Sequence, residues 1–283
     1  PRIVLMPNHL AKVMAIVNRT PDSFYDKGAT YAVDKAVDRA RAAVEDGAAI
    51  IDIGGVKAGP GEQVDASEEI DRVVPVIAAV RAAHPCVKVS VDTWRAEVAE
   101  AAVAAGADLI NDTWAGWDPE LITVAGDHRV GYVCSHTGGA VPRTRPHRVR
   151  YDDVVADVIA ETTALAERAV SAGVPETEVF IDPTHDFGKN TFHGLELLRR
   201  VDELVATGWP VLMALSNKDF VGETVGRGVD ERVAGTLAAT AWAAARGVAA
   251  FRVHQVRETV DVLHMTAAIK GEVPPRNTIR GLA

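Results

Sequence analysis

A polar or charged residue stands at the end of almost every short apolar run of this 283-residue chain. These residues are Asn18, Asp52, Asp92, Asn111 with Asp112, His136, Asp182, Ser216 with Lys218, and Arg252 with His254. Carboxylates and amides can hydrogen-bond a polar ligand, and the basic residues supply charge for an anion. Any one of them could instead be a structural cap or a hydrogen-bond partner in the core. Their regular placement favours a site for a small molecule.

A glycine-rich loop follows the second of these runs and has the composition of an anion-binding loop. It reads D-I-G-G-V-K-A-G-P-G over residues 52–61. Glycine lets backbone N–H groups approach a ligand closely, and such groups can hold an anion. After Asp52, however, the only charged side chain of the loop is Lys57. The loop therefore combines the backbone of an anion site with little cationic charge.

The elements that must position these residues alternate from one end of the chain to the other. Apolar runs typical of buried parallel strands cover residues 13–17, 50–53, 87–91, 109–110, 130–133, 179–181, 211–213 and 250–253. Residues 154–170, 233–244 and 260–267 place apolar side chains at three- and four-residue steps, as helices with one buried face do. Helices are predicted to end at Gly47, Gly106, Gly173, Gly208 and Gly247.

Eight strand–helix units at a spacing of roughly 35 residues predict an α/β fold, a (β/α)8 TIM barrel. We predict a single domain over residues 1–283, with residues 270–283 as a surface tail. An open doubly wound sheet is the alternative. In a barrel the carboxyl ends of the strands share one face, so the polar residues would converge there.

The composition excludes several classes of protein. A formal net charge of −9 and a pI of about 5.5 argue against electrostatically driven binding to nucleic acid or an anionic membrane. No apolar run has the length of a membrane helix and no leader sequence is recognisable, so we expect a cytoplasmic protein. Cys86 and Cys134 lie in apolar runs without metal-ligand spacing and are predicted to be buried free thiols.

Seven sets of motifs at the strand ends, in matching order, resemble dihydropteroate synthase, a barrel enzyme of the folate pathway. They are N-R-T-P-D-S-F at 18–24, D-I-G-G at 52–55, V-S-V-D-T at 89–93, I-N-D at 110–112, I-D-P at 181–183 with F-G-K at 187–189, S-N-K at 216–218 and R-V-H at 252–254. The resemblance covers residues 13–265. It implies condensation of 6-hydroxymethyl-7,8-dihydropterin pyrophosphate with para-aminobenzoate.

The resemblance assigns Asp92, Asn111, Asp182 and Lys218 to the pterin pocket. Carboxylates suit the paired N–H groups of the 2-amino-4-oxo edge of a pterin. Asn111 can both donate and accept, and Lys218 can donate to the carbonyl oxygen or a ring nitrogen. The structural alternative for these residues is buried ion pairing, for example between Lys218 and Asp182.

The resemblance also implies a pyrophosphate site at Asn18, Arg252 and His254, with Mg²⁺ bound at Asn18. Arg252 and His254 lie just before the last predicted helix, whose N-terminus favours an anion. Asp22 and Ser23 belong to the first loop, which closes over the site in this family. The catalytic residues implied by the resemblance are Lys218, Arg252, His254 and Asp22.

The sequence departs from the family pattern around the subsite for the acceptor amine. The family reads D-I-G-G-E-S-T-R-P-G in the second loop, where this chain has V-K-A-G at 56–59, and Lys57 lies two positions before the lost arginine. S-N-K at 216–218 replaces S-R-K, and T-H-D-F at 184–187 replaces G-x-G-F. We therefore predict a degraded acceptor subsite that comprises Ala58, Gly59, Asp186, Phe187, Ser216 and Asn217.

Three further departures lie beside the same strand ends. W-A-G at 114–116 replaces S-G-G, Ser135 replaces the methionine before His136, and Ala214 replaces a glycine of the pterin pocket. Added bulk at 184, 186 and 214 should narrow that pocket. Drift compensated by movement of Lys57 and its neighbouring loops is the alternative explanation.

Aminobenzoate carries a carboxylate, so the loss of two arginines and the gain of an aspartate should weaken its binding. We predict a dihydropteroate synthase-like protein that is inactive or very weak in the standard reaction and keeps the anion site and part of the pterin pocket. The alternatives are an active synthase with rearranged loops, a pterin-dependent transferase with a different acceptor, and a non-catalytic binding protein. Expected partners are pterin pyrophosphate, an arylamine or sulfonamide-like compound and, by resemblance, a second copy of the chain in a homodimer.

Overall fold

The structure, a computed structural model, describes residues 10–18, 28–144 and 149–280. Eight parallel strands form one sheet. They are β1 Lys12–Asn18, β2 Ile50–Gly54, β3 Lys88–Asp92, β4 Leu109–Asp112, β5 Gly131–Ser135, β6 Val179–Asp182, β7 Leu212–Met213 and β8 Ala250–Val253. Asp22 and Ser23 of the first loop lie outside the described residues.

The sheet closes on itself. Its strand order is β6-β5-β4-β3-β2-β1-β8-β7, and a parallel bridge between Ile181 and Val211 joins the two ends. Pairing of β1 with both β2 and β8 is what a barrel requires and an open doubly wound sheet does not show. The predicted (β/α)8 barrel is therefore confirmed.

Helices surround the strands. They are α1 Gly28–Glu45, α2 Ala66–Ala83, α3 Ala96–Ala104, α4 Leu121–Asp127, α5 Val154–Ser171, α6 Thr191–Arg199, α7 Val201–Val205, α8 Asp219–Val225, α9 Val233–Ala245 and α10 Val256–Ile269. The predicted glycine stops lie just beyond helices in left-handed backbone, for example Gly47 with φ 103° and Gly173 with φ 110°. None of the helices in the described ranges is long and apolar enough to cross a membrane.

Two apolar layers hold the barrel together. The larger one packs the outward side chains of the strands against the helices. The smaller one fills the inside of the barrel near the amino ends of the strands, with Met14, Ile50, Leu109, Val133, Phe180, Leu212 and Ala250. Because side chains alternate along a strand, the residues two positions further on also point inward, toward the carboxyl ends.

The two cysteines differ from expectation at one position. Cys134 in β5 is a buried free thiol, as predicted, but Cys86 is exposed. The prediction for Cys86 was wrong because β3 begins only at Lys88, so Cys86 lies in the turn that precedes the strand. Beyond α10 the described tail carries neither helix nor strand and is mostly exposed, although Val273 packs against Leu10 and Ala267.

Candidate functional site

A polar layer lies directly above the apolar filling of the barrel. Asn18, Asp52, Asn111, Asp182 and Arg252 each follow by two or four positions a residue of the inner apolar layer on the same strand. Strand alternation therefore turns all five toward the barrel axis at the carboxyl ends. The polar residues therefore converge on one face of the barrel, as the sequence predicts.

Arg252 is the centre of the polar layer. Its Nε donates to Asp52 Oδ2 and its Nη2 to Asp92 Oδ2, both at 2.6 Å. Asp52 also accepts hydrogen bonds from Ser90 Oγ at 2.6 Å and from Asn111 Nδ2 at 3.2 Å. The guanidinium of Arg252 is thus paired with two carboxylates, and little of its charge is left for an anion.

Two carboxyl groups at this end of the barrel, Asp92 and Asp182, have raised pKa values. Burial raises the pKa of Asp92 to about 7, although the guanidinium of Arg252 opposes the shift. Burial likewise raises the pKa of Asp182 to about 6, against a hydrogen bond from the backbone N–H of Thr184 and the charge of Lys218. Both carboxyls can therefore change protonation near neutral pH, which is a common property of ligand-binding groups.

Lys218 forms its ion pair with a residue that departs from the family pattern. Its Nζ lies 2.6 Å from Oδ2 of Asp186, and the Lys218 side chain is only 20% exposed. The structural alternative considered for Lys218 was an ion pair with Asp182, and the structure shows Asp186 as the partner instead. Lys218 and Arg252, the described cations of the predicted pterin and pyrophosphate sites, are therefore each paired with carboxylates of the chain.

The residues predicted to bind pyrophosphate are not joined by hydrogen bonds to one another in the described part of the chain. Asn18 ends β1 and is exposed, and a Cβ on Gly54 would lie 3.5 Å from both Asn18 Oδ1 and Asp92 Oδ2. Asn18 and Asp92 thus both border Gly54, and Asp92 is also a partner of Arg252. His254 lies at the rim, where it lines a cleft that reaches α1.

Four of the six predicted acceptor residues lie in the loops after β2 and β7. Ser216 Oγ donates to Gln255 Oε1 at 3.1 Å, and the backbone N–H of Asn217 donates to Thr236 Oγ1 at 3.1 Å. The side chain of Ser216 and the backbone of Asn217 thus join the loop after β7 to its neighbours, whereas Asn217 Oδ1 is buried without a hydrogen-bond partner among the described residues. Ala58 and Gly59 lie with exposed Lys57 in the irregular segment between β2 and α2.

Asp186, which pairs with Lys218, and Phe187 are the other two predicted acceptor residues, and Phe187 belongs to an aromatic cluster at the barrel mouth. The cluster consists of Trp94, Trp114 and Ala140, with Val56 and Phe187 packed against it. The ring of Phe187 meets the ring of Trp114 edge-on, with centroids 4.6 Å apart. The departure at residues 114–116 thus places a large side chain next to the predicted acceptor subsite.

Two residues of the site were given no binding or catalytic role in the sequence analysis. Asp52 binds Arg252 in the centre of the layer, and its place at a strand end beside two glycines was the signal that pointed to it. Lys189 is a half-buried residue of the loop after β6, and its Nζ donates to the carbonyl oxygens of His136, Thr184 and Phe187 at 3.0, 3.2 and 3.0 Å. Lys189 therefore fixes the loop that carries Asp186 and Phe187.

Comparisons with known proteins identify the family of this chain. A family model described as pterin binding enzyme matches residues 14–254. The chain is 63% identical to a protein of Mycobacterium leprae named inactive dihydropteroate synthase 2, over 96% of this chain and 94% of that protein.

Two solved structures of Xanthomonas albilineans dihydropteroate synthase are similar throughout. One, with 4-aminobenzoic acid, has a TM-score of 0.85 at 41% identity and covers 94% of this chain and 95% of that chain. The other, in complex with 7,8-dihydropteroate, has a TM-score of 0.83 at 39% identity and covers 95% and 97%. With its strand-end motifs and closed barrel, the chain belongs to the family of pterin-binding enzymes.

Proposed function

We propose that this protein binds a dihydropterin pyrophosphate in the manner of dihydropteroate synthase and condenses it with aminobenzoate very slowly or not at all. The observation that carries the proposal is the 2.6 Å ion pair between Lys218 and Asp186. A lysine that already has a carboxylate partner offers less charge to a ligand, and an added carboxylate repels the anionic acceptor. The relative named inactive supports the same conclusion.

The pterin half of the site supports binding. Asp182 and Asp92 can accept the paired N–H groups of the pterin edge, and Asn111 can both donate and accept beside them. Asp182 is buried, so a hydrogen bond to it is not weakened by competing water. These three residues would hold and orient the heterocycle.

The condensation makes demands that the acceptor half of the site meets poorly. The bond between the pterin methylene carbon and pyrophosphate breaks with its electron pair on oxygen, and the amine nitrogen bonds to that carbon and loses a proton. The protein must stabilise the leaving anion and hold the amine in line. Arg252 is shared by two carboxylates, Ser216 is bound to Gln255, and the second loop lacks its arginine. Neither demand is well served.

We propose Mg²⁺ as a cofactor of the pyrophosphate site, bound through Asn18. Asn18 offers one amide oxygen at the mouth, and Gly54 leaves the space beside it open. Magnesium commonly takes one or two protein oxygens and completes its shell with water and phosphate oxygens, so one protein ligand fits this donor set. When bound, Mg²⁺ would supply charge that stabilises the leaving pyrophosphate.

A homodimer formed through the late helices is also proposed. An apolar groove between α6, α8 and α9 is lined by residues that include Leu195, Phe220, Val225 and Trp242. Phe192 near the start of α6 is 80% exposed.

A cytoplasmic location is part of the same proposal, and its support is that both cysteines are free thiols, as is usual in a reducing compartment.

Calorimetry followed by a product assay tests the proposed function. The purified protein is titrated with 6-hydroxymethyl-7,8-dihydropterin pyrophosphate in the presence of Mg²⁺ and then incubated with 4-aminobenzoate. We expect saturable binding with little or no dihydropteroate. Rapid formation of dihydropteroate, or growth without folate products of a strain that lacks the enzyme, would show an active synthase. Product with another amine only would show a transferase with a different acceptor, and absence of pterin binding would refute the proposal.

A further inference from the structure

Five successive loops each contribute one apolar side chain to the aromatic cluster at the barrel mouth. Val56 follows β2, Trp94 follows β3, Trp114 follows β4, Ala140 follows β5 and Phe187 follows β6. These strands are neighbours in the barrel, so the loops border one continuous half of the mouth. The cluster therefore covers the half of the mouth that includes Phe187 of the predicted acceptor subsite.

Trp114 is the most deeply buried aromatic ring of this cluster. It is 2% exposed, and its ring contacts Phe187 edge-on at 4.6 Å and Trp94 edge-on at 6.4 Å between centroids. Edge-to-face contacts of this kind are favourable, and both neighbours hold the indole in place. A flat ligand ring cannot occupy the side of Phe187 against which Trp114 already packs.

The backbone around Trp114 is fixed by hydrogen bonds. Asp112 accepts from the N–H groups of Trp114 at 3.0 Å and Gly116 at 2.6 Å, and Ser135 Oγ accepts from the N–H of Ala115 at 3.1 Å. Ala115 has φ 55°, a left-handed conformation that a non-glycine residue keeps only when its surroundings determine it. The position of the indole therefore follows from the loop and does not require a ligand.

Packing alone holds the indole ring, since Nε1 of Trp114 is buried without a hydrogen-bond acceptor among the described residues. A buried donor without a partner is unusual, and here the contacts with Phe187 and Trp94 outweigh its cost. Removal of the ring would thus free space without breaking a hydrogen bond of the side chain.

We propose that Trp114 determines acceptor specificity by filling the space beside Phe187 that an arylamine needs. This inference rests on the proposed function, because it assumes that the pterin binds in the polar layer and the acceptor beside Phe187. The arylamine would then be excluded by the bulk of Trp114 in the loop after β4, in addition to the loss of the two family arginines. No described hydrogen bond joins the Trp114 side chain to a residue of the polar layer. Pterin binding should therefore be independent of Trp114.

The test compares two ligands on four proteins by calorimetry. The ligands are 6-hydroxymethyl-7,8-dihydropterin pyrophosphate, which lacks the arylamine, and 7,8-dihydropteroate, which contains it. The proteins are the wild type, W114S, W114F and the control W117S, which removes a tryptophan of the same loop that is 53% exposed. We expect W114S to bind dihydropteroate about tenfold or more tightly than the wild type and W117S do. The pterin pyrophosphate should bind all four alike.

The outcomes distinguish failure of the role of Trp114 from failure of the proposed function. Equal affinity of the wild type and W114S for dihydropteroate, with pterin pyrophosphate bound by both, overturns the role of Trp114 alone. If no protein binds pterin pyrophosphate, the proposed function fails, and 4-aminobenzoate alone then tests Trp114, since only W114S should bind it. If W114S lacks a cooperative thermal transition, W114F decides: its smaller ring should give a lesser gain for dihydropteroate, and no gain overturns the inference.

Discussion

At the scale of single residues, the basic side chains of the site form ion pairs with carboxylates of the same chain. Arg252 lies between Asp52 and Asp92, and Lys218 is bound to Asp186. Ion pairs with little exposure to solvent cost desolvation and regain it only through good geometry. A ligand that competes for Lys218 or Arg252 must therefore offer at least the interaction energy that the carboxylate partner provides. The protonation and identity of these carboxylates should therefore control ligand binding.

Asp186→Asn should strengthen the binding of dihydropterin pyrophosphate, by about tenfold, because a neutral amide no longer neutralises Lys218. Isothermal titration of the variant and the wild type measures the change. The matched control is Asp219→Asn, which removes the same charge next to Lys218 in the chain but from a residue that pairs with Arg232. Unchanged affinity in Asp186→Asn would show that the ion pair does not restrict binding.

Pterin binding should weaken as the pH falls. Burial raises the pKa of Asp182 to about 6, and only the ionised carboxylate can accept both N–H groups of the pterin edge. Affinity for 6-hydroxymethyl-7,8-dihydropterin, which carries no phosphate, should therefore be highest above pH 7 and fall by roughly tenfold per unit below the pKa.

The Asp182→Asn variant is the control for this pH dependence. It should bind the pterin more weakly than the wild type above pH 6 and approach the wild type at pH 5, so that the component of the curve near pH 6 is lost. Protonation of Asp92, whose pKa burial raises to about 7, remains in both proteins. Titrations at half-unit steps between pH 5 and pH 8 measure both curves. A variant curve that parallels the wild-type curve would exclude Asp182 as the titrating group.

At the scale of elements, the site depends on loops that are anchored at both ends. The loop after β6 begins directly after Asp182, carries Asp186 and Phe187, and ends at the cap of α6. Lys189 of the same loop donates to the carbonyl oxygens of Thr184 and Phe187. Asn190 forms this cap as half of a capping box with His193. Loss of the cap should therefore also disturb the adjoining loop that carries Asp186 and Phe187.

Asn190→Ala is expected to lower the free energy of unfolding by about 1 kcal/mol. The Asn190 side chain accepts the N–H of His193 at 3.0 Å, and alanine leaves this donor of the first turn without its partner. Urea unfolding measures the difference. Asn190→Asp keeps a good cap and should stay close to the wild type, so equal loss in both variants would contradict a capping role.

At the scale of the whole molecule, the closed barrel leaves one side with exposed apolar residues. Phe192, Val225, Val229 and Trp242 are 80%, 46%, 55% and 45% exposed on or beside α6, α8 and α9. Exposed apolar groups gathered on one surface are typical of an interaction site. The proposed homodimer would bury this surface.

Val225→Glu should therefore convert a dimer of twice 30.1 kDa into a monomer, because a buried carboxylate without a partner is costly at an interface. Light scattering after size-exclusion chromatography gives the mass. The control is Ile269→Glu, which places the same charge at an exposed position at the end of α10. A wild type of single-chain mass, or a dimer that survives Val225→Glu, would refute an interface at this groove.

The fold and the membership of the polar layer could be predicted from sequence because both follow from local periodicity. The apolar run before Asp182 and the inward turn of that residue depend only on strand alternation. Helix ends at Gly47 and Gly173 depend only on the left-handed backbone that glycine tolerates. Cys86 was misplaced because it sits at the boundary of an element, where one residue decides between a strand and a turn.

The sequence by itself thus determined a barrel of alternating strands and helices with a polar ring at the strand ends, since neighbours along the chain specify each of these features. Only the tertiary structure decided the pairing of charges, because Arg252 and Asp52 are separated by 200 positions and meet through barrel closure. The same holds for Lys218, which could reach either Asp182 or Asp186, and for Trp114, whose partners come from other loops. Contacts between distant segments depend on how the strands close and on the rotamers that the packing permits.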